Sequence, residues 1–78
     1  MVLQVDEVLD CRNTYCPVPV IRLRQAIDKL EPGKVIKVLA TDPGSQADFP
    51  AFARNTGHKL LESAVNDGVF EYYFRRAG

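Results

Sequence analysis

Residues 17–41 read PVPVIRLRQAIDKLEPGKVIKVLAT, and they hold the two patterns that decide the fold. Over residues 17–30, apolar side chains recur at the period of a helix and gather on one side of the helical wheel. They are Pro19, Val20, Leu23, Ala26, Ile27 and Leu30. After the turn Glu31-Pro32-Gly33, the β-branched run over residues 34–41 predicts a strand. One face of that strand carries Ile36, Val38 and Ala40.

A second helix is predicted to begin at Ser45 and to end at Gly57. Ser45 followed by Asp48 resembles a capping box, and Gly57 suits the left-handed position that ends a helix. Pro50 removes an N–H group from the interior of this segment. Either the first turn is irregular or the regular helix begins near Asp48, and the sequence leaves this boundary open.

Three further strands complete the predicted sheet. Residues 4–11 form the first strand, while residues 58–65 and 69–76 form a hairpin around Asn66-Asp67-Gly68. The order β-α-β-α-β-β contains two right-handed crossovers, which put both helices on one face of a four-stranded mixed sheet. We therefore expect a two-layer α/β sandwich in a single domain over residues 1–78.

The charge balance and the distribution of apolar residues exclude several kinds of partner and location. Lysine and arginine total 10, as do aspartate and glutamate, so no net field attracts nucleic acid or an anionic membrane. Residues 1–10 do not read as a signal peptide, and no apolar run approaches the roughly 20 residues of a membrane span. We expect a cytoplasmic protein, in which thiols are kept reduced. Because His58 is the only histidine beside two cysteines, no metal or cofactor is expected.

Cys16 lies where the topology predicts a functional site. Parallel strands bring the loops after the first and second strands to one end of the sheet, so Cys16 and Asp42 should be neighbours. Pro17 and Pro19 lack N–H groups and hold the sulfur on a stiff corner at the start of the helix. Nearby positive charge would come from Arg12, Arg22 and Arg24, although the helical wheel sends them in different directions. The helix dipole favours an anion at this position, which predicts a Cys16 pKa below that of a free cysteine.

The motif Cys16-Pro17-Val18-Pro19 resembles the C-P-x-P signature of the TusA/SirA family of sulfur-carrier proteins. The resemblance continues through Leu9-Asp10, Glu31-Pro32-Gly33, Asp42-Pro43 and Asp48-x-Pro50, and so covers nearly the whole chain. It implies a sheet order of 1-2-4-3. It also implies that Cys16 accepts a sulfane sulfur as a persulfide and passes it to an acceptor protein.

The same resemblance implies the partners of the chain. The sulfur donor would be a cysteine desulfurase or a rhodanese-like protein. Family members serve transfer RNA thiolation, molybdenum-cofactor maturation and sulfur oxidation, and the motif does not separate these roles. The chain has Asn13-Thr14 where the family commonly has Gly-Leu, and Asn tolerates the left-handed backbone that such a loop can need. We expect a monomer that does not bind nucleic acid directly.

Two other functions stay open. Cys11 and Cys16 could form a thiol-disulfide redox module, although they lack the C-x-x-C spacing and Cys11 shares a strand face with Leu9, which favours packing. A non-catalytic protein- or RNA-binding regulatory domain is the other alternative, but the neutral net charge does not favour it. Asp42 is interpreted first as a turn former and second as a residue that orients a partner or tunes Cys16. We assign His58 no catalytic role.

The first helix also carries features that suit a docking surface. Val18 and Ile21 fall outside its buried face and close to Cys16, which predicts an exposed apolar pair beside the sulfur. The same helix is locally basic, which would suit an acidic partner surface. Its basic residues are Arg22, Arg24 and Lys29.

Overall fold

A computed structural model describes residues 4–78, so residues 1–3 of the predicted domain lie outside the described residues. Six elements follow one another in the predicted order. They are β1 (Glu7–Cys11), α1 (Val18–Asp28), β2 (Val35–Ala40), α2 (Ser45–Thr56), β3 (Lys59–Asn66) and β4 (Val69–Arg75). The sheet order is β1-β2-β4-β3, with β1 parallel to β2 and with β4 antiparallel to both β2 and β3. The predicted two-layer α/β sandwich and its sheet order are confirmed.

The strand register brings the site loops together. Cys11, the last residue of β1, pairs with Ala40, the last residue of β2. Ala40 also pairs with Phe70 near the start of β4. The loops that leave β1 and β2 therefore emerge at one end of the sheet, as parallel pairing requires.

The core lies between the sheet and the two helices, and apolar periodicity explains which residues fill it. Leu23 and Ile27 of α1 are fully buried, as the helical wheel predicts. Phe49 of α2 is also fully buried, and its ring makes edge contacts with Tyr72 and Phe74 at centroid distances of 4.6 and 5.9 Å. The remaining core residues are Cys11, Ile36, Val38, Ala40 and Phe52. This shared core fixes both helices against one face of the sheet.

β1 is shorter than predicted and begins at Glu7 instead of residue 4. The Val35 N–H donates to the Asp6 carboxylate at 2.9 Å, so a side chain takes the place of a backbone carbonyl there. The Asp6 N–H still donates to the Val35 carbonyl at 2.9 Å. The regular ladder therefore starts at the pair Glu7 and Ile36, three residues later than predicted.

Both ends of α1 lie inside the predicted limits. Pro17 is the N-cap, so the prediction that it is the first helical residue is wrong, and Pro19 falls within the first turn. At the other end, the Arg76 guanidinium donates to the carbonyl oxygens of Asp28 and Leu30. These long-range bonds satisfy carbonyls that a longer helix would have used.

α2 runs without interruption from Ser45 to Thr56, with Pro50 inside it. The boundary left open by the sequence is therefore at Ser45, and Pro50 removes one N–H donor from the helix without ending it. The predicted capping box is wrong: Gly44 is the N-cap and no side chain caps the helix. The Ser45 hydroxyl is buried and hydrogen-bonds to the Tyr72 hydroxyl at 2.9 Å instead.

Two predicted turns are confirmed by backbone angles. Gly57 ends α2 in the left-handed region at φ 83°. Asp67 and Gly68, at φ 50° and 79°, make the tight turn between β3 and β4, which needs positive φ at both positions.

Across residues 4–78, neither helix has the length and apolar character needed to cross a membrane.

Candidate functional site

Cys16 lies in the loop between β1 and α1, immediately before the Pro17 N-cap, and its side chain is exposed. The Cys16 N–H donates to Asp42 Oδ2 at 2.8 Å across to the loop after β2. The Asn13 N–H donates to Thr41 Oγ1 at 2.9 Å between the same two loops. Cys16 and Asp42 are therefore neighbours, as the parallel topology predicts.

Asp42 forms the predicted turn and also bonds to the backbone of Cys16. Its Oδ1 accepts the Gly44 N–H at 3.1 Å and its carbonyl accepts the Ser45 N–H at 3.0 Å, which builds the turn into α2. Its second carboxylate oxygen holds the Cys16 backbone. One aspartate thus fixes the start of α2 and the position of the reactive loop together.

The loop before Cys16 is held by local bonds. Asn13 has a φ of 64°, so the position where the chain departs from the family pattern needs the left-handed backbone that Asn tolerates. Thr14 Oγ1 donates to the Cys11 carbonyl at 2.6 Å. Two nitrogens of the Arg12 guanidinium donate to the two carboxylate oxygens of Asp10, at 2.9 and 2.8 Å. This ion pair links the last residues of β1 to the loop that follows. The Asn13-Thr14 pair is therefore compatible with a well-bonded loop.

A cleft of about 270 Å³ separates α1 from α2 beside Cys16. Its apolar lining comes from Pro17, Val20, Ala51 and Phe52. Its polar lining comes from Cys16, Arg24, Asp48, Asn55 and Thr56. The thiol therefore borders a largely apolar space in which two charged side chains of opposite sign also lie.

The prediction of a lowered Cys16 pKa is wrong. The pKa of the Cys16 thiol is raised, first by the Asp48 carboxylate, which can accept the thiol proton, then by partial desolvation and by the negative charges of Asp48 and Asp42. Pro17 has no N–H, and the Val18 N–H donates to the Tyr15 carbonyl at 2.9 Å. Neither residue therefore offers the sulfur an N–H donor, and the two nearby carboxylates disfavour the thiolate.

The three arginines expected around Cys16 lie in different places. Arg24 lines the cleft with Cys16. Arg12 is held by Asp10, and Arg22 lies in a separate groove between α1 and the exposed edge of β1, where its charge lowers the pKa of Asp10. Arg24 therefore lies beside the cleft of Cys16 while Arg12 and Arg22 lie elsewhere, which confirms that the three arginines take different directions.

An apolar surface adjoins Cys16. Val18 and Ile21 expose 38% and 49% of their side chains, which confirms the exposed apolar pair, whereas Pro19 is buried. Tyr15, which the sequence analysis did not single out, exposes 68%. We call Tyr15, Val18 and Ile21 the apolar rim.

Cys11 and His58 are accounted for by packing. Cys11 is fully buried, its thiol is free and burial raises its pKa, so it is not presented to a partner. The His58 ring stacks on Phe52 at a centroid distance of 5.9 Å, and its Nδ1 accepts the Ala77 N–H at 3.0 Å. Among residues 4–78, no group of three or more His, Cys, Asp or Glu side chains is placed to hold a metal ion.

Sequence reasoning did not assign Asp48 to the site. It was interpreted as part of a capping box, but it lines the cleft with Cys16. The signal was present in the motif Asp48-x-Pro50, which the chain shares with the TusA/SirA pattern although no cap needs it.

The ion pair at the exit of β1 gives a pH prediction. Hydrogen bonds from Arg12, followed by its charge and that of Arg22, lower the pKa of Asp10 from 3.8 to about 2. The stabilisation from this pair is therefore present above pH 3.8 and is lost as the pH falls towards 2. We expect Arg12→Gln to move the Asp10 carboxyl titration, followed by NMR, up towards 3.8. Arg54→Gln on α2 is the control and should leave it unchanged; an unmoved midpoint in Arg12→Gln would contradict the assignment.

The fold and the site together define a class: two-layer α/β sandwich domains that present one exposed cysteine at the start of a helix. Residues 7–76 match the family model described as sulfurtransferase TusA. The chain is 39% identical to sulfur carrier protein TusA of Allochromatium vinosum over 92% of its own length and 95% of that protein. It is 38% identical to sulfur carrier protein TusA of Pseudomonas aeruginosa, over 97% and 96% of the two chains.

A solved structure agrees with these relatives. The SirA-like protein from Desulfitobacterium hafniense superposes with a TM-score of 0.80 at 28% identity, over 92% of this chain and 99% of that one. The chain therefore belongs to the TusA family of sulfurtransferases.

Proposed function

We propose that the chain is a sulfur carrier that holds a sulfane sulfur as a persulfide on Cys16 and passes it to an acceptor protein. The observation that carries the proposal is the free, exposed thiol of Cys16 within the C-P-x-P motif of a TusA-family domain. Cys11 is buried, which does not favour the alternative of a redox pair. The domain over residues 1–78 acts as a monomer in the cytoplasm and needs no cofactor of its own.

The loading step is an exchange without net oxidation. The Cys16 sulfur attacks the terminal sulfur of a persulfide on the donor's cysteine, and a new S–S bond forms at Cys16. The donor's own S–S bond breaks, and its electron pair stays on the donor's cysteine sulfur. That sulfur takes up the proton that Cys16 gives up. The donor thus changes from a persulfide to a thiol, and Cys16 changes from a thiol to a persulfide. Transfer to the acceptor repeats this step from Cys16.

The partners must be proteins that bring a second sulfur to Cys16. We propose a cysteine desulfurase or a rhodanese-like protein as donor and a protein of transfer RNA thiolation, cofactor maturation or sulfur metabolism as acceptor. The apolar rim supports docking, because contact through apolar side chains excludes water from the reacting sulfur atoms.

Intact mass after incubation with a persulfide-loaded rhodanese tests this function. We expect a gain of one sulfur atom, which reductant removes. A loss of two hydrogen atoms without added sulfur would indicate a disulfide between Cys11 and Cys16 and therefore the redox module. An unchanged mass would contradict the carrier function and leave the non-catalytic binding domain as the better account.

Ile21→Glu tests the apolar rim. Ile21 is about half exposed and is not part of the core cluster, so the fold should be unchanged. A buried charge in a docked interface is unfavourable, and we expect loading from a rhodanese persulfide to slow on the order of tenfold. Loading from glutathione persulfide, which needs no protein docking, should stay near the wild-type rate.

Gln25→Glu is the matched control, because it places the same carboxylate on α1 one turn further from Cys16. It should leave both loading rates unchanged. If Ile21→Glu slows both sources equally, the defect lies in the thiol and the rim is not a docking surface. If neither rate changes, Val18 and Ile21 are exposed hydrophobes without a function in transfer.

A further inference from the structure

Asp48 is placed to control the Cys16 proton. It lies in the first turn of α2, is partly buried, and lines the cleft that also contains Cys16. Val20, Ala51 and Phe52 line the same cleft, so the interaction between thiol and carboxylate takes place beside apolar surface.

Three charged groups face Cys16 from the elements around it. Asp42 comes from the loop after β2, but its carboxylate already accepts two backbone N–H groups. Arg24 comes from α1 and lines the cleft. Asp48 comes from α2, and within residues 4–78 the salt bridges involve other residues, so its carboxylate remains available for a cation. Asp48 is also the largest influence on the thiol, whose pKa it raises.

We propose that Asp48 makes sulfur loading selective for protein donors. In the free carrier, the Asp48 carboxylate holds the Cys16 proton. When a cationic side chain of the donor pairs with Asp48 in the cleft, the Cys16 proton is released. The free carrier then reacts slowly with small electrophiles and small sulfur sources. In the docked complex the negative charge on Asp48 is neutralised, and the proton passes to the departing donor sulfur as the new S–S bond forms on Cys16. No atom or electron beyond those of the two sulfur partners is needed.

The first measurement is the rate of alkylation by iodoacetamide as a function of pH. Asp48→Asn removes the negative charge and replaces one carboxylate oxygen by an NH2 group at nearly constant size. We expect its alkylation midpoint to fall below that of the wild type and its alkylation at neutral pH to be several-fold faster. A profile that coincides with the wild type would overturn the role of Asp48.

The second measurement compares two sulfur sources, because this role rests on the proposed function. Loading of Asp48→Asn from glutathione persulfide should be several-fold faster than loading of the wild type. Loading from a persulfide-loaded rhodanese should not rise and is expected to fall, since the donor's cation has lost its partner. Equal increases with both sources would overturn the selectivity.

Asp28→Asn is the matched control, since it makes the same replacement on an exposed residue at the far end of α1. It should leave the alkylation profile and both loading rates unchanged, and a change equal to that of Asp48→Asn would attribute the effect to net charge and overturn the inference. The two hypotheses fail separately. If the wild type takes up no sulfur, the proposed function fails, whereas a loaded wild type with unaltered Asp48→Asn behaviour removes Asp48 alone.

Discussion

Cys16→Ser is expected to abolish sulfur loading while leaving the free energy of unfolding within about 0.5 kcal/mol of the wild type. A hydroxyl group cannot form a persulfide, and the exposed Cys16 side chain is not part of the core cluster. Intact mass after incubation with a persulfide-loaded rhodanese measures the loading, and urea denaturation measures the stability. The effect should be complete loss rather than a slower rate.

Cys11→Ser is the control for this variant, because it makes the same atomic replacement at the other cysteine. Cys11 is fully buried, so the substitution should lower stability by roughly 1–3 kcal/mol through an unsatisfied hydroxyl, yet loading should persist. Equal loading of Cys16→Ser and wild type would remove Cys16 from the proposed mechanism. Loss of loading in folded Cys11→Ser would show that the buried thiol takes part.

Phe49→Ala is expected to produce the largest loss of stability, about 3–5 kcal/mol. The ring is fully buried and contacts Tyr72 and Phe74, so its removal leaves a cavity between α2 and the centre of the sheet. For a domain of this size each kcal/mol corresponds to a fall of about 4–8 °C in melting temperature. Urea and thermal unfolding measure both quantities.

Phe70→Ala supplies the comparison, because Phe70 is only partly buried at the margin of the core. Its loss should be clearly smaller, about 1–2 kcal/mol, in proportion to the apolar area removed from water. If the two variants lose the same stability, or if Phe49→Ala loses less than about 1 kcal/mol, the packing of α2 on the sheet is not as described.

The architecture was predictable because apolar periodicity reports burial directly. Leu23 and Ile27 recur at helical spacing, and Ile36 and Val38 alternate along a strand, so each pattern identifies the face that packs on the core. Asp67-Gly68 identifies the hairpin, because few other residues accept positive φ at both positions. These signals are local and need no knowledge of what the residues contact.

The boundaries that the sequence missed depend on contacts between distant parts of the chain. Asp6 ends the ladder by binding the Val35 N–H, and Arg76 bonds to carbonyls at the end of α1. Ser45 was interpreted as a cap because of its position, but Tyr72 takes its hydroxyl. No local sequence pattern indicates such long-range partners. The helices and strands were therefore predicted correctly in type and order, but not at these ends.

In the site, too, local patterns predict some features, whereas others depend on contacts between distant parts of the chain. The placement of Cys16 beside Asp42 follows from parallel pairing alone, and the exposure of Val18 and Ile21 follows from the helical wheel. The titration of Cys16 does not, because it depends on Asp48, which reaches the thiol only through the packing of α2 beside α1. A helix terminus lowers a thiol pKa only where it offers free donors and where no closer carboxylate opposes it.

The location of the added sulfur tests the central claim most directly. Arg12 lies between the two cysteines, so trypsin separates a peptide that contains Cys11 from the peptide of residues 13–22 that contains Cys16. The wild-type protein is loaded by a persulfide-bearing rhodanese, alkylated to trap the persulfide and digested. We predict one additional sulfur atom on the 13–22 peptide and none on the Cys11 peptide. Sulfur on the Cys11 peptide, or on neither peptide after loading, would contradict the assignment of Cys16 as the carrier of the sulfur.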